Sequence, residues 1–315
     1  MGIDIDPLCQ YPFEENNPDS KFLCENIEKI TSSQLMGFWT SKGKRLLAGC
    51  APCQPFSTYS QRKSASEDSR WGLLSHFGRL ISETKPDYVT MENVPRLAKM
   101  QVFEQFVTSL IALGYTTSYQ TIDCSYLGIP QKRKRLVLCA SLSGESPDLN
   151  ILPLANVSKV RDAIESLPEI SAGEQCKIDP FHRSSKLSML NSKRISASKP
   201  NGTWHDWPRK LRSECHKKET GDGYTAVYGR MAWDVPAPTI TTQCYNYGSG
   251  RFGHPEQNRA ISLREAAVLQ SFPKDYIFEH PENTLTTRDA ARLIGNAVPP
   301  KLGEEIAKLF SNLKE

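Results

Sequence analysis

Leu46-Leu-Ala-Gly-Cys-Ala-Pro-Cys-Gln-Pro-Phe-Ser57 is the stretch on which the fold turns. Its short apolar run ending in Ala48-Gly49 reads as a buried strand, and the Pro-Cys-Gln-Pro that follows can neither extend a strand nor open a regular helix. Cys53 is therefore expected on a loop whose backbone is restricted by Pro52 and Pro55. In an open α/β sheet, ligands bind beyond the carboxyl ends of the strands, so a cysteine there is placed for chemistry. Two other readings stand beside a catalytic one. A free cysteine is commonly a buried structural residue. Cys50-Ala-Pro-Cys53 is also a C-x-x-C, although Gln54-Pro55 disfavours the helix that a redox pair would open.

The chain has 315 residues, 38% of them hydrophobic and 23% charged, the balance of a globular protein with room for a large core and two domains. No stretch approaches the roughly 18 apolar residues of a membrane span, and the N-terminus lacks a basic and apolar leader, so a cytoplasmic protein is expected. Nine cysteines, an odd number, fit reduced thiols better than a disulfide framework. The net charge of +4 decides little as a total. Phe181 to Thr220, however, carries ten Lys or Arg against three Asp or Glu, with Trp204, His205 and Trp207 among them. That composition suits a phosphate-contacting surface and, equally, a solvated face.

In chain order, Met1 to Pro7 starts as an alternating strand ending in acids, and a carboxylate at a strand end commonly holds ribose hydroxyls. The glycine-rich turn that should precede it is absent. Lys21 to Cys24 reads as a strand, Ser32 to Trp39 as a helix and Arg45 to Gly49 as the strand that delivers Cys53. Ser57 to Asp68 is a polar run of a length that suits a lid beside the site. Trp71 to Glu83 has helical periodicity, with Leu73, Leu74, Phe77, Leu80 and Ile81 on one face. Tyr88 to Glu92 is a strand whose terminal glutamate faces the same crevice as Cys53, or is an ordinary surface residue. Val102 to Leu113 is a helix, Thr116 to Cys124 a strand, and in the next strand Gln131, Arg133 and Arg135 alternate onto one face. Strands alternating with helices up to about Cys139 predict a parallel, doubly wound sheet. Val157 to Leu167 is a further helix. Periodicity fades from Ser171 to Tyr224, where a second domain is expected, and returns at Leu263 to Gln270, Thr287 to Ile294 and a closing helix near Leu313.

Pro52-Cys53-Gln54, Glu92-Asn93-Val94, Gln131-x-Arg133-x-Arg135 and Gly295-Asn296-Ala297-Val298 occur in this order. Arg230-Met-x-Trp-Asp-x-Pro-Ala-Pro-Thr-Ile-Thr-Thr242 and Leu263-Arg-Glu-Ala-Ala-x-Leu-Gln-Ser-Phe-Pro273 lie between the last two. With this ordered set the chain resembles the bacterial DNA (cytosine-5)-methyltransferases over essentially its whole length. The departure is the family's first block, a Phe-x-Gly-x-Gly turn, which is missing. The resemblance implies an α/β, Rossmann-like methyltransferase sheet lacking its first strand, in a catalytic domain over 1–171. It also implies a smaller target recognition domain over 172–283 and a return to the catalytic domain over 284–315.

The resemblance further implies an enzyme that moves a methyl group from S-adenosylmethionine to C5 of cytosine in a specific duplex DNA sequence. Cys53 would add to C6 as a thiolate, a form that is only a few per cent of a free cysteine near neutral pH at a pKa of about 8.5. Glu92 would bind N3 and the exocyclic amine, and Arg133 and Arg135 the phosphate and O2 of a base flipped from the duplex. Cofactor contacts are expected from Asp4, Ile5, Asn26, Ile27, Pro52, Leu73, Asn296 and Val298, with Asn26 standing where the family usually has an acid. DNA contacts are expected from Gln54, Ser57, Gln131, Arg230, Thr239 and Thr241. No metal is implied; a cognate restriction endonuclease and a monomeric state are. The rival readings are a non-catalytic DNA-binding remnant and an RNA cytosine-5 methyltransferase. The missing strand predicts a chain that folds poorly, or one that closes the gap by pairing the flanking strands, and that binds the cofactor weakly.

Overall fold

The computed structural model describes residues 1–39, 43–50, 72–142, 144–150, 157–218, 221 and 223–313. Two compact units divide the chain: Met1–Asp123 with Lys134–Pro153 and Leu302–Glu315, and Cys124–Arg133 with Leu154–Lys301.

The first unit holds the strands β1 (Gly2–Asp4), β2 (Phe22–Cys24), β3 (Leu46–Gly49), β4 (Tyr88–Asn93), β5 (Thr116–Asp123) and β6 (Lys134–Ser141). Between them run α1 (Gln10–Asn16), α2 (Ser32–Met36), α3 (Gly72–Thr84) and α4 (Gln101–Ala112). β1 and β2 form a parallel pair, and the other four strands form a sheet in the order β3-β4-β6-β5. β3 is parallel to β4, as expected for strands joined through a helix, whereas β6 runs antiparallel to both β4 and β5. The wholly parallel sheet expected from the alternation is thus corrected at its far end. Only residues 124–133 join β5 to β6, and a parallel crossover needs a dozen or more.

β6 lies between two neighbours, and Leu136 to Ala140 are all buried. That is why this stretch is a continuous apolar run with no alternation. α3 presents Leu74, Phe77 and Ile81 to the core, and α4 adds Phe103, Phe106 and Leu110. Burying each of these side chains is worth about 1.5–3 kcal/mol relative to leaving it exposed. Leu80 of α3 faces a separate cluster with Ile30 and Leu35, against which Ile3 of β1, Leu23 of β2 and Leu47 of β3 pack. The closing helix α9 (Pro300–Ser311) enters this unit at Leu302, burying Leu302, Ile306 and Phe310, and the Phe310 ring lies 5.0 Å from that of Tyr88.

The second unit is built on α5 (Val160–Ile164), α6 (Met189–Ala197), α7 (Leu263–Leu269) and α8 (Thr287–Asn296). Every residue of α7 is buried, Arg264 and Glu265 included. Ser262 and Glu265 close a capping box at its start, satisfying two of the otherwise orphaned backbone donors. Val160 and Ile164 of α5 and Ala290, Ala291 and Ile294 of α8 share one apolar cluster with α7. This packing places α5 and α8 with α7 in the second unit. Among the described residues no helix is long and apolar enough to cross a membrane, and the cysteines are free.

Candidate active site

A cavity of about 590 Å³ opens in the first unit, floored by apolar side chains that include Ile3, Leu46, Leu47, Phe77 and Leu80. The Phe77 ring lies so close under Gly49 that a Cβ there would come within 2.6 Å of it, so only glycine fits at the end of β3. β1 and β3 both line this cavity without pairing. Gly2 N–H donates to Lys21 and Asp4 C=O accepts from Glu25, so both face β2. The alternation of a parallel ladder then turns the N–H and C=O of Ile3 away from β2. The expectation that the strands flanking the gap would pair with each other is therefore not met, and the space between them is the cavity.

Asp4, Ile5, Asn26, Ile27 and Leu73, five of the residues expected to hold the cofactor, line it together. Asp4 sits at the end of β1, where its carboxylate accepts from Asp6 N–H at 2.9 Å. Asn26 makes a local turn, its side-chain oxygen accepting from Glu28 N–H at 3.1 Å. From α3, Arg79 clamps this loop by donating to the carbonyls of Ile27 and Ile30 at 3.2 and 2.9 Å. Glu25 and Glu28, which the reading of the sequence passed over, also line the cavity. Glu25 follows β2 directly, and a carboxylate at a strand end was the available signal. The lining described here holds three carboxylates and neither Lys nor Arg. An apolar floor below a carboxylate rim fits S-adenosylmethionine, which has an apolar base, hydroxyls to donate and a positive sulfur. Pro52 lies outside the described residues, as do Cys53, Gln54, Ser57 and the polar run to Asp68.

Glu92 stands near the carboxyl end of β4. The register that pairs Gly49 with Met91 brings the next residues, Cys50 and Glu92, to the same end of the two strands. Arg135 of β6 places Nε 2.7 Å from Glu92 Oε1, with the two side chains 14% and 12% exposed. Arg135 also donates to the Lys134 carbonyl at 2.8 Å.

Gln131 and Arg133 belong to the second unit, and β6 begins only at Lys134, so the alternation read across Gln131, Arg133 and Arg135 does not describe one strand face. The Gln131 region bridges to Ala237. Gln131 is fully buried, donating to Gln270 Oε1 at 2.6 Å and accepting from Ile240 N–H at 2.8 Å. Arg133, also buried, donates to the Ile240 carbonyl at 3.0 Å and to the Gly295 and Ala297 carbonyls at 3.4 Å. Gln270 reaches the Ala297 carbonyl at 2.8 Å, so this network ties three of the sequence blocks together. Gln270 was passed over because a glutamine near the end of an apolar helix carries no signal of its own. Asn296 and Val298 flank the end of α8 in this unit.

Arg230 is buried and all five of its N–H groups are used. Nε donates to Ser198 O, Nη1 to His254 O and Gln257 O, and Nη2 to Ile195 O and Asn258 Oδ1, at 2.7–3.2 Å. No donor is left for a phosphate, and the expectation that Arg230 contacts DNA is corrected to a scaffolding role. Thr239 donates to the Lys132 carbonyl at 2.6 Å and Thr241 accepts from Gln243 N–H at 3.3 Å. Within the basic stretch, Arg183 is spent on Glu279 and Arg194 on the Leu211 carbonyl, while Lys186, Lys193, Lys199, Arg209 and Lys210 are exposed.

The sequence profile of the C-5 cytosine-specific DNA methylases matches residues 1–312. The chain is similar to the Type II methylase M.HgiDII of Herpetosiphon aurantiacus, with 47% identity covering 100% of this chain and 89% of that protein. It is also similar to the Type II methyltransferase M1.BsuMI of Bacillus subtilis, with 32% identity over 98% and 72% of the two chains. Among solved structures, a DNMT2 mutant from Spodoptera frugiperda shares the fold, with a TM-score of 0.68 at 17% identity over 99% of this chain and 91% of that one. The chain therefore belongs to the C-5 cytosine-specific DNA methylase family: it is a DNA (cytosine-5-)-methyltransferase that uses S-adenosylmethionine.

Proposed function

We propose that this enzyme methylates cytosine within one specific duplex sequence, through a transient bond between Cys53 Sγ and C6 of a base turned out of the helix. The observation that supports the reading most is the Glu92–Arg135 pair at the end of β4, one residue beyond the partner of Gly49. A carboxyl group there suits the N3 and amino edge of a cytosine: one oxygen accepts from the amino N–H, and a proton carried by the other and given to N3 withdraws electrons from C6. The Cys53 thiolate then forms the S–C6 bond as the C5=C6 π pair shifts toward C5, making C5 nucleophilic. Bound S-adenosylmethionine supplies the methyl group on a positively charged sulfur. Once C5 carries the methyl group, its proton leaves, the C5=C6 bond re-forms and the S–C6 bond breaks, returning the thiolate.

Turning the base out costs a few kcal/mol, which contacts to the flanking strand must offset. Asp4, Glu25 and Glu28 would hold the hydroxyl and cationic parts of the cofactor, and Ile5, Ile27 and Leu73 its apolar base. Buried Gln131 and Arg133 hold the Ile240 and Ala297 segments in place. The natural companion is a restriction endonuclease reading the same sequence, and the enzyme acts as a monomer.

Cys53→Ala tests the mechanism. It should abolish transfer of labelled methyl groups to DNA, abolish the covalent complex with DNA containing 5-fluorocytosine, and leave DNA binding within about twofold, since no phosphate contact is lost. Methylation by this variant would overturn the mechanism.

A further inference from the structure

We infer that α6 is the element that reads DNA sequence, with Met189 and Leu190 meeting base edges and Lys186 and Lys193 flanking them on phosphates. This inference rests on the assignment of duplex DNA as the substrate and adds where in the chain it is read. α6 is anchored from one side only. Arg194 and Ile195 are its buried residues, and Arg194 is held on several sides. Its guanidinium lies 4.8 Å from the Tyr228 ring centre and 5.6 Å from that of Trp207, and it donates to Leu211 O, Asn191 Oδ1 and Ser213 Oγ. Ser188 caps the helix by accepting from Asn191 N–H at 3.2 Å. The helix is thus held rigidly with its other face outward.

That outward face is unusual for a soluble surface. Met189 is 85% exposed and Leu190 45%, and both stand in the first turn of the helix. Single exposed apolar residues need no explanation, but two adjacent ones on a rigidly anchored helix do. Charge identifies the occupant. α6 has no acidic residue, exposed Lys186 precedes it and exposed Lys193 lies one turn after Met189. Arg209 and Lys210 are exposed just ahead of Leu211, whose carbonyl receives Arg194. A polyanion fits this surface. The major groove admits an α-helix, and apolar side chains there discriminate through the thymine methyl group and the unmethylated cytosine edge.

Three variants and a library of DNA targets randomised around the methylated base test the inference. Met189→Ala with Leu190→Ala should relax the methylated sequence at one or two positions by roughly tenfold, the usual scale of a single lost base contact. It should leave the salt dependence of DNA binding and the melting temperature unchanged. Lys193→Ala should do the reverse, weakening binding to all sequences and lowering the slope of log affinity against log salt by about 1. Lys308→Ala, on α9, is the control and should change neither. An unchanged sequence preference in the double variant, with Lys193→Ala still lowering the slope, overturns the reading role of α6 and leaves DNA as the substrate. An unchanged slope in Lys193→Ala removes α6 from the DNA surface altogether.

Discussion

Arg135 Nε approaches Glu92 Oε1 to 2.7 Å across the β4–β6 pair, which is antiparallel. A strand lying beside β4 in the opposite direction brings a residue near its own start, Arg135, to the end of β4, where Glu92 sits. The direction of β6 is thus what assembles the pair.

Glu92→Gln removes the charge and keeps the shape. General acid–base and hydrogen-bonding groups of this kind contribute on the order of 10²–10⁴-fold, so methyl transfer should fall by at least the lower figure. Arg135→Lys keeps the charge but loses the planar N–H fork and should fall on the order of 10²-fold through misplacement of Glu92. In both variants the loss should appear in kcat, with KM for DNA unchanged. A rise in KM alone would place the pair in DNA binding.

Arg230 is expected to act on stability and not on DNA. Its five N–H groups meet five protein acceptors, and a lysine offers only three donors. Arg230→Lys should cost about 3 kcal/mol, read as a lower denaturation midpoint. The salt slope of DNA binding should not move in that variant, whereas a phosphate-contacting arginine would lower it by about 1.

Stability should also depend on pH through His254. Its Nδ1 accepts from the backbone N–H groups of Glu256 and Gln257 at 3.2 and 2.9 Å, so its proton sits on Nε2. Burial pushes its pKa down to about 4, and the nearby Glu265 carboxylate only partly opposes this. As pH falls, the unfolded chain takes up this proton near the ordinary value of about 6.5, before the folded one does. The stabilisation is therefore whole above about 6.5 and is lost progressively as pH falls toward about 4, reaching roughly 2 kcal/mol of loss at pH 5. His254→Asn, which retains an acceptor for the two N–H groups, should flatten this part of the curve in denaturation measured from pH 7.5 to 5. An unaltered curve would assign the pH dependence to other groups.

The strand ends around the candidate site were legible in the sequence. Asp4, Gly49 and Glu92 each close an apolar run, and strand ends in an α/β sheet face ligands whatever the remainder of the chain does. Which polar residues are interior was not legible. Gln131, Arg133 and Arg230 look like surface residues because arginine and glutamine are seldom fully buried. Many of their acceptors lie 24 to more than 160 residues away, and nothing local marks those. The direction of β6 was legible in principle, since the ten-residue connection excludes a crossover. The alternation of Gln131, Arg133 and Arg135 concealed it by imitating a strand that started earlier.

Gly295 illustrates the same interior order. A Cβ built on it would lie 2.4 Å from the backbone of Thr241 and Thr242, neither of which can swing aside as a side chain could. Gly295→Ala should cost about 1–3 kcal/mol of stability. Because Arg133 donates to the Gly295 carbonyl, a displaced α8 should also disturb Arg133 and lower methyl transfer. Full activity at full stability would show that α8 can shift without consequence.

The cofactor cavity offers the last test. Asp4 and Glu25 stand at the ends of two adjacent parallel strands and line the same space. Asp4 is exposed and its carboxylate takes one backbone N–H, that of Asp6, so Asp4→Asn should change the melting temperature little. Glu25 accepts from Asn26 N–H at 2.8 Å, a bond that Glu25→Gln keeps, and its ion pair with Lys29 at 3.8 Å is an exposed one whose loss costs little. Hydrogen bonds to a charged group contribute about 1.5–3 kcal/mol, so each substitution should weaken S-adenosylmethionine binding by roughly 10- to 100-fold in isothermal titration. The two together should weaken it by more than either alone. Binding of S-adenosylhomocysteine, which lacks the positive sulfur, separates the two roles. A carboxylate that holds ribose hydroxyls affects both ligands alike, and one that faces the sulfonium affects the methyl donor more. Equal affinities in wild type and both variants would exclude this cavity as the cofactor site.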